Sequence, residues 1–245
     1  IEDLTMIRPC GWMLTLGACE DVTVEHLRQI GTRLSSDGVD VVGSRQVRVR
    51  NSFLRNGDDC VVVKSLDLQR ESGVRLDHTF PVEDVEFSGC AIISYRGGNA
   101  MEIGHELRTD SVRNIRFRDI DVMGVHQFGS VFGIHNADRA RIEDVLYEDI
   151  RVEHHYDKLV DFRVVKSRWG KDAERGSVKG VTLRNVDVRL EDYNPGYTSS
   201  LIGGYDAEHR VEDVRFENFV HGGRKAMHPD DLDLFVKYAE SIQFS

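Results

Sequence analysis

Proline is scarce in this chain, with four in 245 residues, and long apolar runs are missing altogether. Nothing approaches the roughly 20 consecutive apolar residues of a membrane-spanning helix. The four cysteines, Cys10, Cys19, Cys60 and Cys90, include no Cys-x-x-Cys pair. That argues against a structural zinc site, and so few cysteines in so long a chain do not make a disulfide framework. Excess positive charge is also lacking. The formal net charge of −10 is the wrong sign for a surface that docks on nucleic acid or anionic lipid. No secretory signal is visible within the sequence, and with Ile1 as its first residue this tells little about compartment. Helical periodicity is thin, and only residues 26–34 and 229–239 read as short helices.

What the chain has instead is glycine, 22 residues of it, and Val and Ile that alternate with polar side chains. Alternation of that kind is strand chemistry. It recurs. Seven segments share a polar pair, a β-branched anchor, a polar residue, an apolar residue and a polar residue. The anchors are Val22, Val47, Val85, Ile115, Val145, Val181 and Val214, spaced 25 to 38 residues apart. Five of the seven copies carry Asn or Asp four places after the anchor, which suits a sharp corner because these side chains tolerate αL. A second apolar segment precedes most copies, as in residues 39–42, 60–63, 100–103, 131–134 and 159–164. One repeat cannot bury its own apolar face, but a stack can. The pattern predicts an all-β right-handed parallel β-helix of about seven coils. The repeats are too short for propeller blades, and their Val and Ile anchors do not suit a leucine-rich repeat. Residues 1–245 are expected to form a single β-helix domain, either complete or short of its first coils. Variable spacing means loops leave the stack, the longest at 66–82, 169–178 and 190–200.

Residues 35–65 read SSDGVDVVGSRQVRVRNSFLRNGDDCVVVKS. Aligning the coils sets Asp37 and Asp58 at one station on adjacent strands, with Asp59 beside them. Stacked strands lie about 4.8 Å apart, so three carboxylates gather on one patch. Repulsion raises the pKa of at least one of them. Such a cluster is costly as structure but suits acid–base chemistry, in which one group keeps a proton while another is ionised. Taken singly, Asp37-Gly38 and Gly57-Asp58 also read as turn residues.

The stretch resembles the central motif of glycoside hydrolase family 28, the polygalacturonase family. Ser36-Asp37-Gly38 stands for its Asn-Thr-Asp-Gly, with Ser35-Ser36 replacing Asn-Thr. Gly57-Asp58-Asp59-Cys60 matches its Gly-Asp-Asp-Cys in full. The resemblance implies an inverting hydrolase in which Asp58 is the general acid and Asp37 and Asp59 handle the attacking water. It also implies a polysaccharide or oligosaccharide substrate and a secreted or periplasmic location. Two family features depart. Asn99 stands where a Gly-His-Gly histidine is expected, and no Arg-Ile-Lys motif is found. Lys64, Asn99, Glu102, His105, Arg108, His135, Asp161 and Arg163 are candidate sugar-binding groups along the same side of the stack. Trp12 and Trp169 are candidate sugar-stacking rings, with core packing the expected role for Trp12, which opens an apolar strand. GGYDAEH, residues 203–209, reads as a distal sugar platform or a turn.

This reading calls for no cofactor, no metal, no nucleic acid and no membrane span, and leaves the oligomeric state open. Two alternatives stand beside it. A polysaccharide lyase on the same architecture would use a Lys or Arg base with calcium on the aspartates. A non-catalytic glycan-binding solenoid would use the same groove without turnover.

Overall fold

The computed structural model describes residues 1–69, 73–189 and 199–245. The expected loop at 190–200 lies almost wholly outside these residues. Strands dominate, and they stack in parallel as the walls of a β-helix. The wall that carries the site is a ladder of Leu14–Gly17, Val39–Val42, Val61–Gln69, Met101–Leu107, Phe132–Asn136, Val160–Val164, Ser200–Gly203 and Leu234–Lys237. The second apolar segments of the repeat are these strands. Alternate residues point inward, and Val39, Val61, Met101, Phe132 and Val160 meet in register, fully buried.

The other walls come from the anchored half of each repeat. Val22, Val47, Val85, Ile115, Val145, Val181 and Val214 align rung to rung. The ladder extends one rung past the seven anchors, to Ile242 beside Val214. Two residues further on, aromatic rings stack along the core: Phe87 on Phe117 at 5.4 Å and Phe117 on Tyr147 at 4.8 Å. From Val82–Ser94 onward one bent strand supplies two walls, where the earlier coils use two separate strands. The bend is a single αL residue. The five Asn and Asp corner residues, Asn51, Asp119, Asp149, Asn185 and Asn218, all have φ between 49° and 57°. His26 and Gly89 fill the same place in the two remaining rungs, at φ 54° and 62°. A second αL ladder precedes the anchors, from Asp21 through Asn114 to Asp213. The polar pairs of the repeat are this second corner.

Asparagine does more at these corners than tolerate αL. Asn185 Nδ2 donates to Asp149 Oδ1, and Asn218 Nδ2 donates to Asn185 Oδ1, each at 3.0 Å. Asn185→Ala is therefore expected to destabilise the fold by ~1–2 kcal/mol, from the Cβ strain of αL and the lost bonds. Asn185→Gly removes the bonds but not the conformation, so urea denaturation should show the smaller loss for Gly.

Both expected helices are corrected. Residues 26–34 contain the strand Arg28–Ile30, drawn into parallel pairing with Phe53–Asn56. Residues 229–239 hold a four-residue 3-10 turn, Pro229–Leu232, ended by Asp233 at φ 46° and followed by the strand Leu234–Lys237. Coil-to-coil pairing overrides local propensity in both. The expected loop at 66–82 is in part a hairpin, with Val61–Gln69 running out of its wall to pair antiparallel with Arg75–His78.

Candidate active site

The register between coils differs from the sequence alignment by one residue. Val39 pairs with Val61, and Gly38 N–H donates to the Asp59 carbonyl at 2.8 Å. Asp37 therefore stacks on Asp59, not on Asp58. One coil further, Cys60 N–H donates to the Asn99 carbonyl, so Asn99 continues the same column. Asp58 sits one residue outside it, in the turn before the strand. That shift leaves Asp37 and Asp59 buried at 3% and 8% exposure, while Asp58 is half-buried and open to the cleft.

Local packing fixes the turn. Gly57 N–H donates to Ser36 Oγ at 3.0 Å, and Ser36 Oγ–H donates to the Arg33 carbonyl at 2.7 Å. The Ser that replaces the family Thr thus ties the two aspartate turns together. Position 98 admits no side chain, because a Cβ there would lie 2.0 Å from the Asp58 carbonyl carbon. The glycine lets the loop before Asn99 press against Asp58-Asp59.

Each carboxyl has its own environment. Asp59 Oδ1 accepts from Asn99 N–H at 2.6 Å and from Asn99 Nδ2 at 2.8 Å. Asn99 Oδ1 in turn accepts from Ser130 N–H and Oγ–H, both at 2.8 Å. Asp37 Oδ2 accepts from Lys64 Nζ at 2.8 Å, and the same ammonium lies 3.1 Å from Asp40 Oδ1. Burial opposes the Lys64 charge, but the carboxylates of Asp40, Asp37 and Asp59 outweigh it and hold the ammonium well above the usual lysine range. Burial raises the Asp37 and Asp59 carboxyls, with Lys64 pulling both back and Asn99 restraining Asp59. Asp58 differs. Burial, then the charges of Asp59 and Asp37, push its carboxyl up to about 8.

These groups line a cleft of about 610 Å³. Lys64, Asn99 and His105 of the sequence candidates face it. Trp12 does too, which corrects its assignment to the core: its ring covers the Lys64 ammonium at 3.9 Å. Sequence reasoning missed Asp40, Glu106 and Arg168, and left Trp169 open. Asp40 occupies an outward position of Val39–Val42 and was legible as the one polar residue in an apolar strand.

Four candidates lie on the same wall without lining the cleft. His135 sits between two carboxylates, with Nδ1 2.8 Å from Glu102 Oε1 and Nε2 3.2 Å from Asp161 Oδ2. Arg163 Nε lies 2.6 Å from Asp161 Oδ1. Burial works against a charged His135 ring, but the Glu102 charge and the bonds from Asp161 and Glu102 push it up to about 10. Both ring nitrogens therefore donate. Burial, helped by the charges of His135, Arg163 and Lys64 and opposed by Glu102, drives His105 down to about 4, so this ring, stacked on His135 at 4.6 Å and 11°, stays neutral. Arg108 faces a neighbouring hollow and is paired with Asp67 at 2.7 Å. The GGYDAEH segment is a turn, with Asp206 Oδ1 accepting from Glu208 and His209 N–H, each at 2.9 Å.

Glu102, His105 and His135 bring ligand-capable atoms within 4.8 Å of one another. Their geometry fits a charge cluster better than a cation site. His135 commits both nitrogens to carboxylates, and the in-plane lone pairs of two near-parallel rings do not converge on one point.

Fold and site together define a parallel β-helix protein with a carboxylate cluster on adjacent coils, at the floor of an open cleft. The chain matches the model for glycosyl hydrolases family 28 over residues 1–192 and belongs to that family. It is 25% identical over 178 residues to a probable endopolygalacturonase A of Aspergillus niger, covering 70% of this chain and 40% of the relative. Among solved structures, it superposes on a hyperthermoactive exopolygalacturonase from Thermotoga maritima with a TM-score of 0.72 at 17% identity, covering 99% of this chain and 52% of that one. A family 28 exopolygalacturonase of Yersinia enterocolitica gives 0.66 at 14%, covering 98% and 42%. These shared folds are right-handed parallel β-helices. The chain spans about half the length of these proteins or less. No helix among the described residues is long and apolar enough to cross a membrane.

Proposed function

We propose that this chain carries the active site of an inverting glycoside hydrolase that cleaves a uronic-acid-containing polysaccharide or oligosaccharide. Asp58 protonates the glycosidic oxygen, and Asp37 with Asp59 orients and deprotonates the attacking water. The observation that carries the reading is the division of labour among the three carboxyls. Burial raises all three carboxyls, but Lys64 draws Asp37 back towards its ionised form, and Lys64 with Asn99 does the same for Asp59. Asp58 faces both charges and reaches the cleft, where its proton is retained to about 8. Environments that push neighbouring carboxyls apart are how a site runs acid and base chemistry at one pH. The names of the related proteins supply the substrate class. A lyase needs a neutral basic group, and Lys64, pinned by two carboxylates under Trp12, is held charged.

Proton NMR of a polygalacturonate digest tests the reaction directly. Inverting hydrolysis is expected to release the β anomer first from α-linked substrate. An α product, or an unsaturated product absorbing in the ultraviolet, contradicts it.

A further inference from the structure

Residues 165–176 leave the site wall after Val160–Val164 and return as Ser177–Val188. The loop is held in place. Asp138 Oδ1 accepts from Lys171 N–H at 2.6 Å and Asp172 N–H at 2.8 Å. Arg139 clamps the Asp172 carboxylate at 2.7 Å. A Cβ at Gly170 would lie 2.3 Å from the Ala137 carbonyl, so the loop packs hard on the coil beneath it. From this fixed base it presents Trp169, 48% exposed, to the cleft. The Arg168 guanidinium lies over that indole at 4.5 Å and also lines the cleft.

The charge around it is lopsided. Asp37, Asp58, Asp59 and Glu106 face the cleft, in a chain of net charge −10. Of the two cations there, Lys64 is consumed by Asp37 and Asp40. Arg168 pairs with no carboxylate among the described residues and is exposed. For an anionic ligand entering this cleft, Arg168 is the cation among the described lining residues that no carboxylate already holds. The cation–π contact with Trp169 holds the guanidinium beside the cleft, where its N–H fork suits a bidentate carboxylate. Trp12 on the site wall and Trp169 on the loop offer aromatic faces to the sugar rings between them.

We propose that Arg168, oriented by Trp169, is the group that selects an acidic sugar, pairing with its carboxylate. This rests on the hydrolase reading of the same cleft and assigns its substrate selectivity to the loop. The test compares trigalacturonate with the same trisaccharide after carboxyl reduction. Binding is read by calorimetry, so it does not depend on turnover, and KM and kcat follow for whichever saccharide is cleaved. Wild type is expected to bind the acid more tightly. Arg168→Gln is expected to weaken the acid about tenfold, the worth of roughly one charge-assisted bond. The effect falls on KM, with kcat within about twofold, and leaves the reduced sugar unchanged. Arg168→Lys should recover part of the loss, because it keeps the charge without the fork. Equal affinity of the wild type for the two sugars, including no binding of either, overturns the proposal. So does an Arg168→Gln effect that is absent or equal on both. Hydrolysis that persists without acid preference sinks this inference and spares the hydrolase reading. Acid-selective binding without hydrolysis does the reverse.

Discussion

Asp58→Asn is expected to lower kcat by roughly a thousandfold, within the range that a positioned general acid supplies. The substitution keeps the shape of the side chain and removes the transferable proton. Its neighbours in the cluster are poor replacements: Asp37 and Asp59 are buried and held by Lys64 and Asn99, and His105 is neutral down to about 4. The wild-type rate should fall as pH rises through about 8, where Asp58 gives up its proton. The substitution should move stability the opposite way to activity. A carboxyl raised from its unfolded value near 3.8 to about 8 holds its proton more tightly when folded. Its contribution is thus full below the unfolded value and is lost as pH climbs towards 8. Asn cannot ionise and escapes that loss. Asp58→Asn should therefore melt above wild type at pH 8, by about 2–6 °C if ~1–2 kcal/mol is recovered. An inactive variant that is also more stable would mark Asp58 as a functional group that the fold tolerates at a cost.

His135→Leu is expected to be the most damaging single change to the fold. The ring is the cation between Glu102 and Asp161, and its side chain is 5% exposed. Removing it leaves two buried carboxylates with Arg163 and Lys158 as their remaining positive neighbours. Breaking one partner of such a cluster costs about 3–5 kcal/mol, or very roughly 10 °C in Tm for a chain of this size. Glu102→Gln in the same background should recover part of the loss, because it removes one stranded charge. The pH dependence has a definite sign. The His135 pKa rises from 6.5 to about 10 on folding, so its contribution is full below 6.5 and is lost as pH rises through 10. Thermal melts of wild type and His135→Leu should converge across that window.

The repeat was legible because its physics is local. A β-branched anchor flanked by polar residues fits a strand with one buried face, and Asn or Asp four places on fits an αL corner. Seven anchors fall in register as read. His26 and Gly89 escaped the consensus because conformation, not residue type, defines the corner. Residues 26–34 misled because Leu27, Ile30 and Leu34 fall at helical spacing, whereas coil-to-coil pairing decides their state. The three aspartates were found through their motif, but their stations were set one residue off. The turn from Asn56 to Cys60 is tight, and its length is invisible to a strand alignment. Trp169 and Arg168 were hard to place for a related reason. Their loop is positioned by Asp138 from an adjacent coil, and no periodicity in the sequence encodes that meeting. Asn99 illustrates the gain from structure: absent the family histidine, its amide links Asp59 to Ser130 across three coils.

A carbon-13 NMR titration of the aspartate side-chain carboxyls, assigned by comparing wild type with Asp58→Asn, addresses the centre of this account. One titration step near pH 8, missing from the variant, is the expected result. If every carboxyl of the cluster loses its proton below about pH 5, no acid is available near neutrality and the proposed catalysis has no proton donor.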